Sequence, residues 1–428
     1  MYPVGEQKSL TFQRYTLSMW AFVALLMCST ALLADGVSKA EYKTRRAQLR
    51  KSLDGVMVLF GADEPEDLHN AFFQESNFLY LSGWREPGAV MMLTPQEELM
   101  FLPPRNAQAE NFTGRKTLAE DLDAKEKTSF DKVLPRSAIE SNFLRLLESS
   151  QRVYMGPGDT RAQKLRAIAG LHEQADSGPE IARLRVIKSP AEIGLLEKSA
   201  EATIPAHLAA WKRVKPGVFE YELAAAMTNV YFEKGCERSA YSPIVGSGPN
   251  SVVLHYMANH RRVDRGEVVL MDVGAECSDY ATDVTRTVPA GGKFSPRQRE
   301  IYDIVLGAQK AAIAAIKPGV VMRGTNSLQQ IAYDYINTHG KDSHGEPLGK
   351  YFTHGLGHFV GLDVHDPGDL NLPLQAGMVI TIEPGIYIPE ENIGIRIEDT
   401  LLVTEDGAKN LSGALPREIS EIEKLVGK

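Results

Sequence analysis

The chain has 428 residues, of which 43% are hydrophobic and 24% are charged. This composition is typical of globular proteins and excludes a disordered, collagenous or low-complexity chain. The 47 Lys and Arg residues and the 55 Asp and Glu residues give a formal net charge of −8, so the overall charge does not favour binding to nucleic acid.

An apolar segment lies near the N-terminus, at residues 17–34. Lys8 and Arg14 precede it and small residues end it, which is the arrangement of a secretory signal peptide. We therefore expect residues 1–34 to direct export to the periplasm or the medium and then to be removed, leaving no stable membrane span. The alternative is an uncleaved membrane anchor, because about 18 apolar residues can just span a bilayer.

The three cysteines are Cys28, Cys236 and Cys277. They are too few for a disulfide scaffold, and their spacing fits no zinc knuckle. Removal of the signal segment would leave Cys236 and Cys277, which could form a disulfide in an oxidising compartment. The sequence contains no geometric information on this pair, so the pairing stays open at this stage.

Residues 35–178 show a mixed pattern of helices and strands and are expected to form a separate α/β domain. The predicted elements are a buried strand (55–60), the two strands of a hairpin (89–93 and 99–102), and helices near 41–53 and 138–149. A polar, turn-rich stretch follows at residues 173–179 and is the predicted domain boundary.

The residues around Ser189 predict the start of a long helix. Ser189 suits the N-cap position, Pro190 suits the first helical position, and Glu192 completes a capping box with the serine. The amphipathic pattern that follows should end at the Lys-Pro-Gly sequence of residues 215–217, because proline and glycine break helices.

The C-terminal part, residues 179–428, contains two similar halves. The tetrapeptide Lys-Pro-Gly-Val occurs at residues 215–218 and again at 317–320. A glycine-led apolar strand that ends in an acid occurs at residues 266–272 and again at 377–383. Because both features recur in the same order, we interpret this region as a duplicated domain with pseudo-twofold symmetry.

Four acids end or follow the predicted strands of the two halves, namely Asp272, Asp283, Glu383 and Glu398. A buried carboxylate without a partner is costly, and like charges that converge cannot all stay ionised without a cation. The alternative is four separate acids, each in its own ion pair or at a strand end. The repeat relates all four, so we favour convergence around a metal centre.

Histidines provide the second type of ligand. His354, His358 and His365 lie in a glycine-rich stretch, which argues against a regular helix. No glutamate follows the first of them, so the zincin helix motif is excluded. A carboxylate-rich site with one imidazole favours Mn²⁺, with Zn²⁺ or Co²⁺ as alternatives. Four acids suit two divalent ions that share bridging carboxylates and activate a bridging water.

These residues carry a resemblance to a known family. In order and spacing, five of them resemble the metal ligands of the pita-bread metallopeptidases: Asp272, Asp283, His358, Glu383 and Glu398. The flanking sequences resemble the proline-specific branch, family M24B, at residues 244–248, 254–256, 354–358, 383–387 and 395–399. Residues 73–83 resemble the N-terminal domain found in aminopeptidase P. The resemblance implies an α+β pita-bread catalytic domain at residues 179–428, preceded by a smaller α/β domain at residues 35–178.

The resemblance also implies a role for each ligand. Asp272 would bind one ion, whereas His358 and Glu383 would bind the other. Asp283 and Glu398 would bridge the two ions. Glu383 would in addition transfer the proton of the bridging water.

Other residues match positions near the substrate in this family. His255, His354 and His365 correspond to histidines that hold substrate and stabilise the tetrahedral intermediate, and Arg396 corresponds to an arginine that supports the site. For His255 and His365 the alternative is an ordinary packed histidine. Tyr387 is expected to be structural.

The implied activity is that of a dinuclear metal exopeptidase that removes an N-terminal residue followed by proline, an Xaa-Pro aminopeptidase. Its partner would be a peptide with proline in second position. The first alternative is a prolidase, which cleaves Xaa-Pro dipeptides. A non-catalytic binding protein of the same fold is less favoured, because all five ligand positions are present. The resemblance further implies a homo-oligomer.

Overall fold

The computed structural model describes residues 36–427. The predicted signal segment at residues 1–34 lies outside the described residues. Within residues 36–427, no helix combines the length and the apolar character that a membrane crossing requires.

The N-terminal part is built on one mixed six-stranded sheet. Its elements are α1 (Lys39–Arg50), β1 (Val56–Phe60), α2 (Ser76–Ser82), β2 (Val90–Leu93), β3 (Glu98–Leu102), α3 (Ala107–Thr113), α4 (Ala124–Thr128), β4 (Lys132–Pro135), α5 (Ile139–Leu147), β5 (Arg152–Tyr154), α6 (Gln163–Ala169), β6 (Glu173–Ala175) and α7 (Gly178–Arg185). The strand order is β4-β3-β2-β1-β5-β6. Strand β2 is antiparallel to its neighbours β1 and β3, and the other neighbouring pairs are parallel.

The local predictions for this part are confirmed, with small shifts at the ends. The buried strand is β1, and the hairpin is β2–β3. Helix α1 begins two residues before the predicted start because the Ser38 hydroxyl caps it by accepting the Glu41 N–H. Residues 173–175 form the edge strand β6, so this polar stretch is part of the sheet and not wholly a turn.

The C-terminal part repeats one arrangement: two helices and then antiparallel strands. The first half contains α8 (Pro190–Arg213), α9 (Glu220–Glu233), β7 (Arg238–Ser239), β8 (Ile244–Ser247), β9 (Val268–Val273), β10 (Ala275–Cys277), β11 (Tyr280–Ala281) and β12 (Val284–Pro289). The second half contains α10 (Pro296–Ala314), α11 (Leu328–His339), β13 (Val379–Ile382), β14 (Gly385–Ile388), β15 (Ile393–Arg396), β16 (Asp399–Val403), β17 (Ala408–Asn410) and the terminal α12 (Ile419–Leu425). This order confirms the α+β fold and the duplicated halves.

Local backbone features agree with the predicted helix and with the predicted repeat. Helix α8 carries the predicted capping box at Ser189 and ends at Arg213, just before the Lys-Pro-Gly sequence. Gly217 and Gly319 occupy equivalent places in the two halves and have φ values of 95° and 93°. Such left-handed backbone favours glycine, because a Cβ would clash there.

The two parts share a core. One cluster of buried side chains joins Leu81 of α2 and Met91 of β2 to Tyr280, Val360 and Val379 of the C-terminal part. A second, larger cluster fills the space between the helices and strands of the two halves. Burial of this apolar surface holds the strands that carry the site acids in fixed positions.

Cys236 and Cys277 form a disulfide, with their Cα atoms 4.2 Å apart. The bond joins the segment after α9 to the end of β10. This settles the pairing that the sequence left open.

Candidate active site

A cavity of about 360 Å³ is lined by residues of both C-terminal halves. Eight of the nine predicted site residues line it, namely His255, Asp272, Asp283, His354, His358, His365, Glu383 and Arg396. The ninth, Glu398, is buried behind this lining with a side chain that is 1% exposed. The structure therefore brings all the predicted residues to one place.

The four acids lie at or beside the ends of strands. Asp272 lies in β9 and pairs in register with Thr285 of β12, the strand that Asp283 directly precedes. Glu383 directly follows β13, and Glu398 lies between β15 and β16. Antiparallel pairing within each half thus sets the positions of both acids of that half.

His358 meets the acids from a loop that runs along β13. Its Nε2 atom lies 3.3 Å from Asp283 Oδ2 and 3.5 Å from Glu383 Oε1. The backbone N–H of Thr381 donates to the His358 carbonyl at 2.9 Å, and the His358 N–H donates to the Thr381 hydroxyl at 3.0 Å. These two bonds fix the loop to the strand.

The carboxylates and His358 perturb one another. Burial and the repulsion of neighbouring acids raise the pKa of Asp283 and hold the pKa of Glu398 well above its usual value. Burial also raises the pKa of Glu383, to about 7. Burial opposes protonation of His358, but Asp283 and Glu383 outweigh it and raise the pKa of His358 to about 9.

This donor set fits a divalent cation. Ligand atoms of Asp283, His358 and Glu398 lie within 4.8 Å of one another. Within residues 36–427, the buried Oε1 atom of Glu398 has no hydrogen-bond partner. His358 Nδ1 lies 3.0 Å from the Phe359 carbonyl. With a cation bound among the acids, Nε2 would give up its proton and turn its lone pair to the cation, while the Nδ1–H donates to that carbonyl. A cation would neutralise the acids and satisfy the orphaned oxygen.

Asp272 differs from the other three acids, because the Arg396 guanidinium pairs with its Oδ2 atom. Burial raises the pKa of Asp272, but Arg396 and the hydroxyl of Tyr241 outweigh it and lower that pKa. Tyr241 lies 2.5 Å from Asp272 Oδ1 and also contacts Asp283. The sequence analysis missed Tyr241, and no motif or spacing marked it.

Two threonines also support the acids and were missed. Thr285 donates to Glu398 Oε2 at 2.6 Å, and Thr381 donates to Glu383 Oε1 at 3.0 Å. Thr285 lies in the Thr-rich strand that follows Asp283, so a polar residue on the same face was a usable signal.

A chain of hydrogen bonds orients His354. Arg396 Nη1 donates to the Tyr387 hydroxyl at 2.8 Å. That hydroxyl lies 2.8 Å from His354 Nε2, and the other ring nitrogen, His354 Nδ1, lies 2.8 Å from the Gly355 carbonyl. Burial and Arg396 lower the pKa of His354 to about 4, so the ring is neutral at neutral pH. Tyr387 thus links Arg396 to His354. The sequence predicted a structural role for Tyr387, and the structure adds this contact with a site histidine.

The other two predicted histidines are exposed at the cavity. The His365 ring packs edge-on against the His358 ring, with centroids 4.4 Å apart. Burial and the His358 charge lower the pKa of His365. His255 lines the same cavity with an exposed side chain, which favours contact with a ligand over the packed-core alternative.

A larger cavity, of about 540 Å³, lies in the N-terminal part between β3, α3 and the loop before α2. Its basic residues include Arg105, which pairs with Glu110, and Lys116, which pairs with Glu64. Among the described residues, no histidine lines this cavity. The chemistry of the lining, and not the volume, therefore selects the smaller cavity as the candidate active site.

Comparisons with known proteins identify the family of this chain. Residues 194–405 match the sequence model of metallopeptidase family M24, and residues 42–154 match that of the aminopeptidase P N-terminal domain. The chain is 36% identical to a Haemophilus influenzae protein named Xaa-Pro aminopeptidase, over 91% of this chain and 97% of that protein. It is 42% identical to the Xaa-Pro dipeptidase of Pyrococcus furiosus, but over 54% of this chain and 64% of that protein.

A solved structure is similar over the same extent. Aminopeptidase P from Escherichia coli with the inhibitor Pro-Leu superposes with a TM-score of 0.82 at 31% identity, covering 91% of this chain and 98% of that one. The similarity therefore includes both the N-terminal and the C-terminal parts. The chain belongs to metallopeptidase family M24, among the members that carry an aminopeptidase P N-terminal domain.

Proposed function

We propose that this protein is an Xaa-Pro aminopeptidase, a metal-dependent exopeptidase that hydrolyses the bond between an N-terminal residue and a following proline. One observation carries the proposal: five potential ligands converge at one cavity, namely Asp272, Asp283, His358, Glu383 and Glu398. Similarity to aminopeptidase P along 91% of the chain supports the same activity.

We propose that the site holds two divalent ions, with Mn²⁺ favoured and Zn²⁺ or Co²⁺ as alternatives. Asp272 would hold one ion and His358 with Glu383 the other, while Asp283 and Glu398 would bridge them. Four carboxylates among five ligands support hard ions. Such ions would supply a water of lowered pKa as nucleophile and would polarise the substrate carbonyl.

The protein's own side chains would bind and orient the peptide. Arg396 holds Asp272 in place and, through Tyr387, fixes the ring of His354 at the cavity wall. The exposed rings of His255 and His365 are free to contact the substrate backbone. The scissile bond ends at the proline nitrogen, which carries no N–H. These side chains would therefore recognise the carbonyls and the N-terminal amine of the peptide.

The test is hydrolysis of an Xaa-Pro-Yaa tripeptide by protein that has been stripped with EDTA and reloaded with Mn²⁺. We expect activity to depend on metal and on proline, with an Xaa-Ala-Yaa tripeptide as the substrate control. Asp283→Ala should abolish turnover, whereas Asp406→Ala, a change at an exposed acid outside the cavity, should not. Hydrolysis that survives both EDTA and Asp283→Ala would exclude the metal mechanism.

The number of ions is a separate question for the same samples. Elemental analysis of active protein should find two ions per chain. One ion per fully active chain would replace the dinuclear proposal with a single-metal site at Asp283, His358 and Glu398.

Prolidase activity is the second candidate, because about half of the chain is 42% identical to an Xaa-Pro dipeptidase. That similarity covers 54% of the chain, whereas the similarity to Xaa-Pro aminopeptidases extends over 91%. Parallel assays of Gly-Pro and an Xaa-Pro-Yaa peptide separate the two. Full activity on the dipeptide and none on the tripeptide would identify a prolidase.

We also propose that the protein is exported through residues 1–34 and that it forms a homo-oligomer. The disulfide between Cys236 and Cys277 supports an oxidising compartment, since such bonds are rare in the cytosol. Mass spectrometry of protein from the periplasm or the medium should find an N-terminus near residue 35. Recovery of the intact chain from membranes would favour an uncleaved anchor. Analytical ultracentrifugation measures the oligomeric state.

A further inference from the structure

We propose that Arg323 recognises the C-terminal carboxylate of short peptide substrates and so biases the enzyme towards them. This inference rests on the proposed function, because it assigns a part of the same cavity to the substrate. Arg323 is the second arginine in the cavity lining, on a loop that carries none of the predicted site residues.

The two arginines of the cavity differ in their availability. Arg396 is 3% exposed and is committed to Asp272 and to the Tyr387 hydroxyl. Arg323 is exposed, and within the described part of the chain its guanidinium has neither an ion pair nor a hydrogen bond. Arg323 therefore has its five N–H donors available for a ligand.

The backbone around Arg323 is held on both sides. The Arg323 N–H donates to the Leu370 carbonyl at 3.2 Å, and the Leu374 N–H donates to the Val320 carbonyl at 2.7 Å. Helix α11 begins five residues further on, with Ser327 as its N-cap. The arginine is thus presented from a fixed loop and not from a free end.

The guanidinium lies against the wall that carries the catalytic histidines. A Cβ atom built on Gly355 would lie 3.0 Å from Arg323 Nη2, so this guanidinium packs on the Gly355 backbone. Gly355 follows His354 directly and precedes His358 by three residues. A peptide that reaches the metal ligands through this cavity therefore passes close to Arg323.

The ligand chemistry follows from the charges of the cavity. Asp272, Asp283 and Glu383 line it and would repel a carboxylate, so a substrate carboxylate needs a cation away from them. In a tripeptide the C-terminal carboxylate lies about 7 Å beyond the scissile carbonyl, since an extended residue spans roughly 3.3–3.6 Å. Guanidinium binds carboxylate through two parallel hydrogen bonds. In a long peptide the terminal carboxylate lies outside the cavity.

The experiment compares kcat/KM for free-acid and amidated substrates. Both Xaa-Pro and Xaa-Pro-Yaa are assayed as acid and as amide, with wild type, Arg323→Ala and Arg323→Lys. We expect wild type to prefer the acid by about five- to thirtyfold, the factor of one charge-assisted hydrogen-bonded pair. Arg323→Ala should bring the acid-to-amide ratio close to one, and Arg323→Lys should restore part of it. The substrate length at which the ratio falls shows whether the carboxylate is that of residue two or residue three.

Two controls make the result specific. Arg265→Ala removes an exposed arginine that does not line the cavity, and it should leave the ratio at the wild-type value. Calorimetric binding of a Pro-Yaa dipeptide and of its amide should show the same preference without turnover. Equal rates for acid and amide in wild type, or an equal loss on both in Arg323→Ala, would overturn the inference and leave the proposed function intact. Failure of metal-loaded wild type to cleave any Xaa-Pro peptide would instead reject the proposed function, and this inference with it.

Discussion

Replacing Glu398 with Gln should stabilise the protein in EDTA and weaken its response to metal. The Glu398 side chain is 1% exposed, and one of its oxygens lies within 4.8 Å of an Asp283 oxygen. Two negative charges at that separation repel by roughly 3.5 kcal/mol at an effective dielectric constant of 20. Glutamine removes this charge, keeps the shape, and can still accept the hydroxyl of Thr285.

The sign of the pH dependence follows from the raised pKa of Glu398. A carboxyl group whose pKa is higher in the folded than in the unfolded protein costs no stability below its ordinary pKa of 4.5, because it is protonated in both states. It destabilises the fold as pH rises towards its folded pKa. At pH 8 we therefore expect Glu398→Gln to be more stable than wild type by about 1–3 kcal/mol without metal. At pH 5 the two proteins should be similar.

The assay is thermal unfolding of EDTA-treated protein at pH 5 and pH 8, followed by titration with Mn²⁺. Wild type should unfold at a lower temperature than Glu398→Gln in EDTA at pH 8, and metal should raise the wild-type midpoint more. Glu197→Gln, at an exposed ion pair with Lys409, is the control and should behave as wild type. Charge repulsion at Glu398 is excluded if Glu398→Gln is the less stable protein in EDTA at pH 8, or if metal raises both midpoints equally.

Three further outcomes are expected. Tyr241→Phe removes a hydroxyl that contacts two of the ligand carboxylates. Metal affinity measured by calorimetry should therefore fall about 10- to 100-fold, and an unchanged affinity would contradict the supporting role of Tyr241. Burial lowers the pKa of His207 from its ordinary 6.5 to about 3, so the unfolded chain takes up a proton that the folded one does not, and stability falls as pH drops from 6.5 towards 3. His207→Gln should flatten this part of the profile in urea titrations, whereas an unchanged slope would mean that another group is responsible. The disulfide joins two cysteines that are 41 residues apart, so its reduction should lower the free energy of unfolding by about 4 kcal/mol. A urea midpoint that stays constant while thiol titration shows two free cysteines would contradict this stabilising role.

Local signals in the sequence were sufficient for much of the fold. The capping box at Ser189 predicted the start of α8, because caps and prolines act within one helical turn. The apolar runs at β1 and β2–β3 predicted buried strands, and the glycine-led strands revealed the duplicated halves. The helix ends were less well determined: α1 begins at Lys39, two residues before the predicted start, because Ser38 caps it.

The sequence also indicated which chemistry to expect at the site. The residue types and order of Asp272, Asp283, His358, Glu383 and Glu398 indicated a metal centre before any distance was known, because buried acids without a cation are too costly. The five residues did not indicate which other side chains hold them in place. Tyr241 lies 31 residues before Asp272 and reaches it only through the pairing of strands. Such contacts depend on tertiary packing and carry no local pattern.

Tertiary structure alone decided three further properties. It placed Cys236 and Cys277 within bonding distance, it inserted Tyr387 between Arg396 and His354, and it brought Arg323 to the wall of the cavity. Each depends on where distant segments meet, which is set by the burial of apolar surface over the whole domain and not by neighbouring residues. The sequence by itself thus determined which groups could do the chemistry, and the packing of the two halves decided which of them meet.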